Sequence, residues 1–362
     1  MSKHKLAVIK IGTKVITGSD KSLDKEMLRS IIGQIADILG RGYRVIVVTS
    51  GAIGAGMGLL GLKKRPVKLE ELQASASIGQ SHLMQLYSSY FKERGYLVGQ
   101  ILLTQEDFND RKRYLNIKYT IQTLLRHAVV PVINENDTIS TEEIKCGDND
   151  RLSSLVSDLC HADILILLSD IDGLLDEKCN VVSFVDEITP RVSKLTRSSK
   201  CDLGTGGMAS KLDAIRKAAA SGIECVIANG KAKRILIDII EGKSAGTRFK
   251  ASVSKMLARK RWIAFTSKAR GTIVVDAGAK EALSNKNKSL LSSGIVEVDG
   301  NFTAGDVVKV TDKAFKEFAK GLTSYSSSEL LKIKGLKTGE IKGALGYKGA
   351  DEVIHKDNLV IL

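Results

Sequence analysis

Paired cysteines, clustered histidines and long apolar runs are what this chain has least of. Its five cysteines stand at 146, 160, 179, 201 and 225, with no Cys-x-x-Cys and no short His/Cys pairing. An odd, scattered set is read as reduced thiols in a cytoplasm, not as a disulfide frame or a zinc site. No apolar run approaches the ~18 residues of a membrane span. The first residues, MSKHKLAVIKIGT, hold an apolar run too short and too interrupted to read as a signal peptide. Gly-x-Gly-x-x-Gly is missing from every strand–helix turn, so a dinucleotide fold is not expected. The P-loop spacing of Gly-Lys-Ser/Thr after four free positions is missing too. Neither an internal repeat nor a low-complexity tract is found.

What is present is length and positive charge. The 362 residues suffice for two or three domains of ~100–200 residues each. A hydrophobic fraction of 43% and a charged fraction of 27% are ordinary for a globular protein. Formal net charge is +14. From Lys255 onward, 19 Lys and Arg stand against 12 Asp and Glu, so the C-terminal third is the more densely basic. Such an excess suits RNA or phosphorylated substrates, although solubility alone is its usual cause.

Strand and helix signals alternate over the first ~245 residues, which predicts one α/β domain with a mostly parallel sheet. Leu6–Ile11 is apolar except for Lys10 and runs into Gly12-Thr13-Lys14. An unpaired buried ammonium is costly, so Lys10 points either into a crevice toward phosphate or into solvent from an edge strand. Helical apolar spacing covers Met27–Leu39. Tyr43–Thr49 reads as a strand buried on both faces. It leads to TSGAIGAG, residues 49–56, which sets Ser50 and Gly51 at a strand's carboxyl end, where open α/β sheets bind ligands. Close helix–sheet packing would explain the same glycines.

Further helices are expected at 69–91, 113–126, 151–160 and 235–241, and strands at 97–103, 129–133, 163–168 and 223–228. Two of these boundaries are crowded with polar residues: Asn134-Glu135-Asn136-Asp137 after a strand, and Gly147-Asp148-Asn149-Asp150 before a helix. Turns and caps need such residues, but capping accounts for one of residues 148–150 and not for all three. GTGGMASK, Gly204–Lys211, reads as a phosphate-binding turn ahead of a helix at 212–221, or as a plain surface turn. Beyond Lys260 the spacing shortens to strands at 271–275, 294–298, 306–310 and 359–362, which predicts a separate β-rich domain.

Six motifs follow one another in order: VIKIGT (8–13), VTSGAIGAG (48–56), PVINEND (131–137), IKCGDND (144–150), LLSDIDGL (167–174) and GTGGMASK (204–211). With this set the chain resembles the bacterial glutamate 5-kinase family of the amino-acid kinase superfamily over essentially its full length. The resemblance implies a fold of class α/β. A three-layer α/β/α sandwich with a mostly parallel sheet would span residues 1–250, a linker 251–269, and a small β-rich PUA-like domain 270–362. It implies transfer of the ATP γ-phosphoryl group to the side-chain carboxylate of L-glutamate, the first step of proline synthesis, in the cytoplasm.

Carried over by motif, Lys10, Asp150 and Lys211 are catalytic, with Asp150 ordering the two lysines. Ser50, Asp137 and Asn149 bind glutamate, with Gly51 and Asp148 beside them. The nucleotide falls to Lys10, Ser169, Asp170, Thr205, Gly206, Gly207, Met208, Ala209, Ser210 and Lys211. Two departures stand out. The family often has threonine where Ser169 stands, and LYTADP commonly follows Gly173, where this chain has Leu174-Leu175-Asp176-Glu177-Lys178. Inhibition by proline and a homo-oligomer are further expectations, with the acidic loop Thr138–Lys145, including Glu143, as the region for proline sensitivity. PUA domains elsewhere bind RNA; here RNA binding stays open beside a structural or regulatory role.

The residue types agree with a carboxylate acceptor. Such an acceptor is already deprotonated at pH 7, so no general base is required, and no motif contains a histidine. The obstacle is repulsion between two anions, which positioning and charge must relieve. Lys10 and Lys211 are therefore expected on either side of the transferring group, with Mg2+ bridging the β- and γ-phosphates. Asp137 would meet the α-ammonium of glutamate; Asn149 and amides around Ser50 would meet its α-carboxylate. Asp170 is the looser choice as a partner of the metal. Two alternatives remain: a superfamily kinase for aspartate, acetylglutamate, carbamate or UMP, and an RNA-binding protein with a degenerate kinase domain. Intact Lys10, Asp150 and Lys211 argue against the second.

Overall fold

The computed structural model describes residues 5–18, 23–139, 148–190, 192, 195, 205–252, 260, 263–264, 269–347 and 349–362. The chain divides into two units, Met1–Lys255 and Met256–Leu362.

In the first unit, eight strands form one sheet: β1 Leu6–Ile11, β2 Arg44–Val48, β3 Leu97–Leu103, β4 Val129–Glu135, β5 Ile164–Ser169, β6 Phe184–Val185, β7 Glu224–Asn229 and β8 Thr247–Phe249. Their order is β3-β4-β2-β1-β5-β7-β8-β6. Pairing is parallel from β3 through β7; β8 runs antiparallel to β7, and β6 parallel to β8. The helices are α1 Lys25–Gly40, α2 Ala52–Leu59, α3 Leu69–Lys92, α4 Gln105–Asn109, α5 Arg111–Arg126, α6 Asp148–Cys160, α7 Thr205–Ala220 and α8 Ile235–Ile240.

Strand periodicity sorts β1 onto two faces. Ala7, Ile9 and Ile11 join Ile31, Ile35, Leu83, Tyr87 and Leu236 in a single buried cluster under α1, α3 and α8. Each Ile or Leu buried there contributes about 1.5–3 kcal/mol relative to exposure. Val8 and Lys10 are directed to the opposite face, which α6 covers. Both faces being covered, β1 and β5 are buried along their whole length. This is why they read as continuous apolar runs, and why the exception at Lys10 is informative.

Helix starts differ from the expected ones where the first turn is polar. Asp24 caps α1, its side chain accepting from Met27 N at 2.9 Å, so the helix begins at Lys25 and not at Met27. Asp110 does the same for α5. The larger correction is at GTGGMASK: Thr205–Lys211 are the first turns of α7, not a turn ahead of it. Cys160 and Cys225 are free thiols. Among the described residues no helix is long and apolar enough to cross a membrane.

The second unit has its own sheet of β9 Gly271–Val275, β10 Ile295–Gly300, β11 Val307–Thr311, β12 Glu317–Leu322 and β13 Leu359–Ile361, ordered β10-β9-β11-β12-β13. A separate core of Ile273, Val275, Val308, Val310, Leu330 and Ile354 holds it together. β12 was not foreseen. Its buried residues are Ala319 and Gly321, too small to mark an apolar alternation; a Cβ on Gly321 would meet Ile354 at 2.5 Å.

Candidate active site

The carboxyl ends of β1, β2, β4 and β5 and the first turns of α2, α6 and α7 carry the expected site residues. Three clusters result.

In the first, Asp150 lies in the opening turn of α6, where unpaired N–H groups favour a negative charge. It is 1% exposed. Lys10 Nζ stands 2.5 Å from its Oδ1, and Lys211 Nζ 3.2 Å from its Oδ2. Ser210 Oγ donates to Oδ2 at 3.2 Å, and Lys211 Nζ also donates to Gly207 O at 3.2 Å. These bonds tie the opening of α7 to Asp150, in a stretch where each glycine costs a helix interior about 1 kcal/mol. Burial pushes the Asp150 carboxyl up, but the charges of Lys10 and then Lys211 outweigh it and hold its pKa below the usual carboxylate value. Two ammoniums share one carboxylate, so the cluster keeps a net positive charge for an anion.

The second cluster begins one residue earlier. Asn149 Nδ2 donates to Ser50 Oγ at 3.1 Å, and Asn149 Oδ1 accepts from Glu135 N at 3.3 Å. Gly51 is the N-cap of α2 with φ of +100°, a backbone state that side chains rarely adopt. The chain thereby turns sharply from β2 into α2 and leaves Ser50 at the turn.

The third cluster follows β5. Ser169 Oγ donates to Asp170 Oδ1 at 3.2 Å, and Lys14 Nζ lies 3.1 Å from Asp170 Oδ2. Burial pushes the Asp170 carboxyl up, but the bond and charge of Lys14, a backbone N–H and the Ser169 hydroxyl together outweigh it and hold the pKa below the usual carboxylate value. Gly12 N donates to Leu168 O at 3.0 Å, which ties the turn after β1 to β5; a Cβ there would come within 2.9 Å of that oxygen.

Lys10, Asp150, Ser210 and Lys211 are thus together, as are Ser50 and Asn149, and Ser169 and Asp170. Gly207 and Met208 are half-buried and Ala209 exposed in the first turns of α7. Asp137 stands half-buried in the turn after β4. Asp148 opens α6 and Thr205 and Gly206 open α7, but the side chains of Asp148 and Thr205 lie outside the described residues. So do residues 140–147, and with them Glu143 and most of the loop expected to sense proline. Among the described residues no three His, Cys, Asp or Glu side chains gather as a metal site.

Sequence reasoning did not single out Gln80, and it named Lys14 and Asn134 only as members of the turns Gly12–Lys14 and Asn134–Asp137. Lys14 sits on the surface and carries no pattern. Gln80 did leave a signal: it interrupts the buried stripe Leu72, Ala76, Gly79, Leu83, Tyr87 of α3. Asn134 Nδ2 donates to Gln80 Oε1 at 2.8 Å, and both residues are buried.

The profile of the Amino acid kinase family matches residues 5–229, and that of the PUA domain residues 271–345. The chain belongs to the amino acid kinase family. Glutamate 5-kinase of Thermoanaerobacter sp. (strain X514) is 47% identical over 361 residues, covering 98% of this chain and 97% of that protein. Glutamate 5-kinase of Moorella thermoacetica (strain ATCC 39073 / JCM 9320) is 43% identical over 368 residues, covering 100% and 97%. Among solved structures, N-acetylglutamate synthase from Neisseria gonorrhoeae, in complex with coenzyme A and N-acetyl-glutamate, matches with a TM-score of 0.51 at 13% identity. That match covers 69% of this chain and 60% of the other, and is a likeness of fold alone. The kinase sheet and the β-rich PUA sheet are the two units described above.

Proposed function

We infer that this chain is a kinase that transfers the γ-phosphoryl group of ATP to the side-chain carboxylate of L-glutamate. One observation carries the reading: Asn149 and Asp150 are neighbours, one bound to Ser50 and the other to both lysines. An acceptor held at the first residue is thereby set beside the charges held at the second. Relatives that share the whole length of the chain and bear the name glutamate 5-kinase support glutamate as that acceptor.

Lys10 and Lys211 are proposed to flank the transferring group and offset its charge as the bond to the leaving oxygen breaks. Asp150 holds the two ammoniums apart at fixed positions. No residue is asked to remove a proton, because the acceptor is an anion already. Asn149, Ser50 and amides near Gly51 bind the α-carboxylate; Asp137 is assigned to the α-ammonium. Ser169, Asp170 and residues 205–211 are assigned to the nucleotide. The fit to a nucleotide rests on the donor set: two lysines on one carboxylate and the free N–H groups opening α7. Mg2+ fits as an ion brought in with the nucleotide, with Asp170 as its looser partner on the chain, and it would supply positive charge against the phosphates.

Proline shares the α-amino-acid head of glutamate, and competition at the Ser50–Asn149 end is proposed on that ground. A structural or regulatory role is kept for the PUA domain, and a cytoplasmic homo-oligomer for the whole. ADP release measured with Mg2+, ATP and either glutamate, aspartate, acetylglutamate or UMP tests the main reading, with and without proline. Turnover with glutamate is expected. Turnover confined to another acceptor would overturn it.

A further inference from the structure

Two primary amides are buried behind the acceptor end of the site, and the assigned chemistry uses neither. Gln80 on α3 is 8% exposed and Asn134 at the end of β4 is 1% exposed. Burying such groups is costly unless they are bonded. A bonded pair contributes only modestly to stability, since apolar groups of the same shape serve nearly as well. Stability alone is therefore a weak reason to bury them.

The bonds run in one direction. Gln80 Oε1 accepts from Asn134 Nδ2 at 2.8 Å, which leaves the Asn134 Oδ1 to accept from Glu135 N at 2.9 Å. The same N–H reaches Asn149 Oδ1 at 3.3 Å. With its oxygen on Glu135, the Asn149 amide turns its NH2 edge to Ser50, 3.1 Å from Oγ. Asn134 and Asn149 thus share the one Glu135 N–H, and the orientation of Asn134, held by Gln80, sets how Asn149 can use it.

The residue before Gln80 packs against the element that follows Ser50. A Cβ on Gly79 would lie 1.8 Å from Ala52 O and 2.3 Å from Gly56 N, so α3 presses against the backbone of α2 at its first turns. α2 begins directly after Ser50 and Gly51. Gly79 and Gln80 together make α3 the back wall of the acceptor end, one supporting Ser50 and the other Asn149.

We propose that Gln80 is a positioning residue for the acceptor, acting through Asn134 and the Glu135 amide to aim the NH2 of Asn149. The proposal rests on the assignment of Ser50 and Asn149 to the acceptor carboxylate. Gln80→Met keeps the length of the side chain and removes the acceptor oxygen. It is expected to raise the KM for glutamate about tenfold, the scale of leaving a buried donor unbonded, with kcat and the KM for ATP within about twofold. Gln80→Glu keeps an acceptor oxygen and is expected to hold the glutamate KM within about threefold of the native enzyme.

The deciding measurement is a double-mutant cycle with Asn149→Ala, read as glutamate KM, with thermal melting of every variant. If Gln80 acts through Asn149, adding Gln80→Met to Asn149→Ala changes KM by less than about twofold. Additive effects overturn the proposal. So does a Gln80→Met variant that melts early while its KM stays native, which would make the residue structural. Asn149→Ala alone separates the two ideas. If it leaves the glutamate KM unchanged, the acceptor assignment itself fails; if it raises KM and Gln80→Met does not, only the role of Gln80 fails.

Discussion

Lys10 Nζ and Asp150 Oδ1 stand 2.5 Å apart at a position almost closed to water, with side-chain exposures of 7% and 1%. The pair is not a closed account, because Lys211 occupies the other oxygen of the same carboxylate at 3.2 Å. Removing the carboxylate would leave two ammoniums without their shared partner. Asp150→Asn is expected to lower kcat by at least ~10²-fold and to cost about 3–5 kcal/mol in stability, the scale of breaking a buried pair. Steady-state kinetics and urea unfolding check the two halves. Native turnover would remove Asp150 from the ordering of the lysines.

The same carboxylate makes stability depend on acid. Its folded pKa lies below the ordinary value of 3.8. The stabilisation is therefore present in full above that value and is lost as pH falls through the lower, folded one. Urea midpoints of the native protein should drop more steeply below about pH 4 than those of Asp150→Asn. Parallel curves for the two proteins would contradict the assignment.

Lys211→Ala removes one of the two charges and leaves Asp150 paired with Lys10. A fall in kcat of about 10²-fold is expected, with KM for glutamate little changed. Single-turnover measurements would place the loss on the chemical step. Near-native turnover would exclude Lys211 from the transfer.

Asp137→Asn should act on binding. It keeps the shape of the side chain and removes the charge assigned to the α-ammonium, so the KM for glutamate rises about tenfold or more and kcat moves less. A large fall in kcat at constant KM would assign Asp137 elsewhere.

Gly79→Ala tests the contact between α2 and α3. The added methyl meets backbone at 1.8 Å and has no flexible neighbour to displace. A loss of about 3 kcal/mol is expected in chemical unfolding, the upper range for overpacking. Retained stability would mean that the helices separate freely there.

How much of this was legible beforehand depended on how local the cause was. A strand buried on both faces must be apolar throughout, so β1, β2 and β5 could be read directly, and Lys10 stood out as the exception. Gly51 was legible because a sharp strand-to-helix turn needs a backbone that only glycine adopts easily. The six motifs in order were enough to identify the family. Other features depend on partners far along the chain. Thr205–Lys211 opens a helix whose Ser210 and Lys211 are bonded to Asp150, some sixty residues earlier. The second sheet hid β12, whose inward residues are too small to show a period. Gln80 and Asn134 are separated by 54 residues, and their bond exists only because α3 and β4 pack together. The sequence by itself determined which residue types meet the ligand ends of the strands, since hydrophobic periodicity and turn chemistry are local. Only the tertiary structure decided which charge faces which, because a buried ion pair or amide bond forms between groups that the linear spacing does not relate.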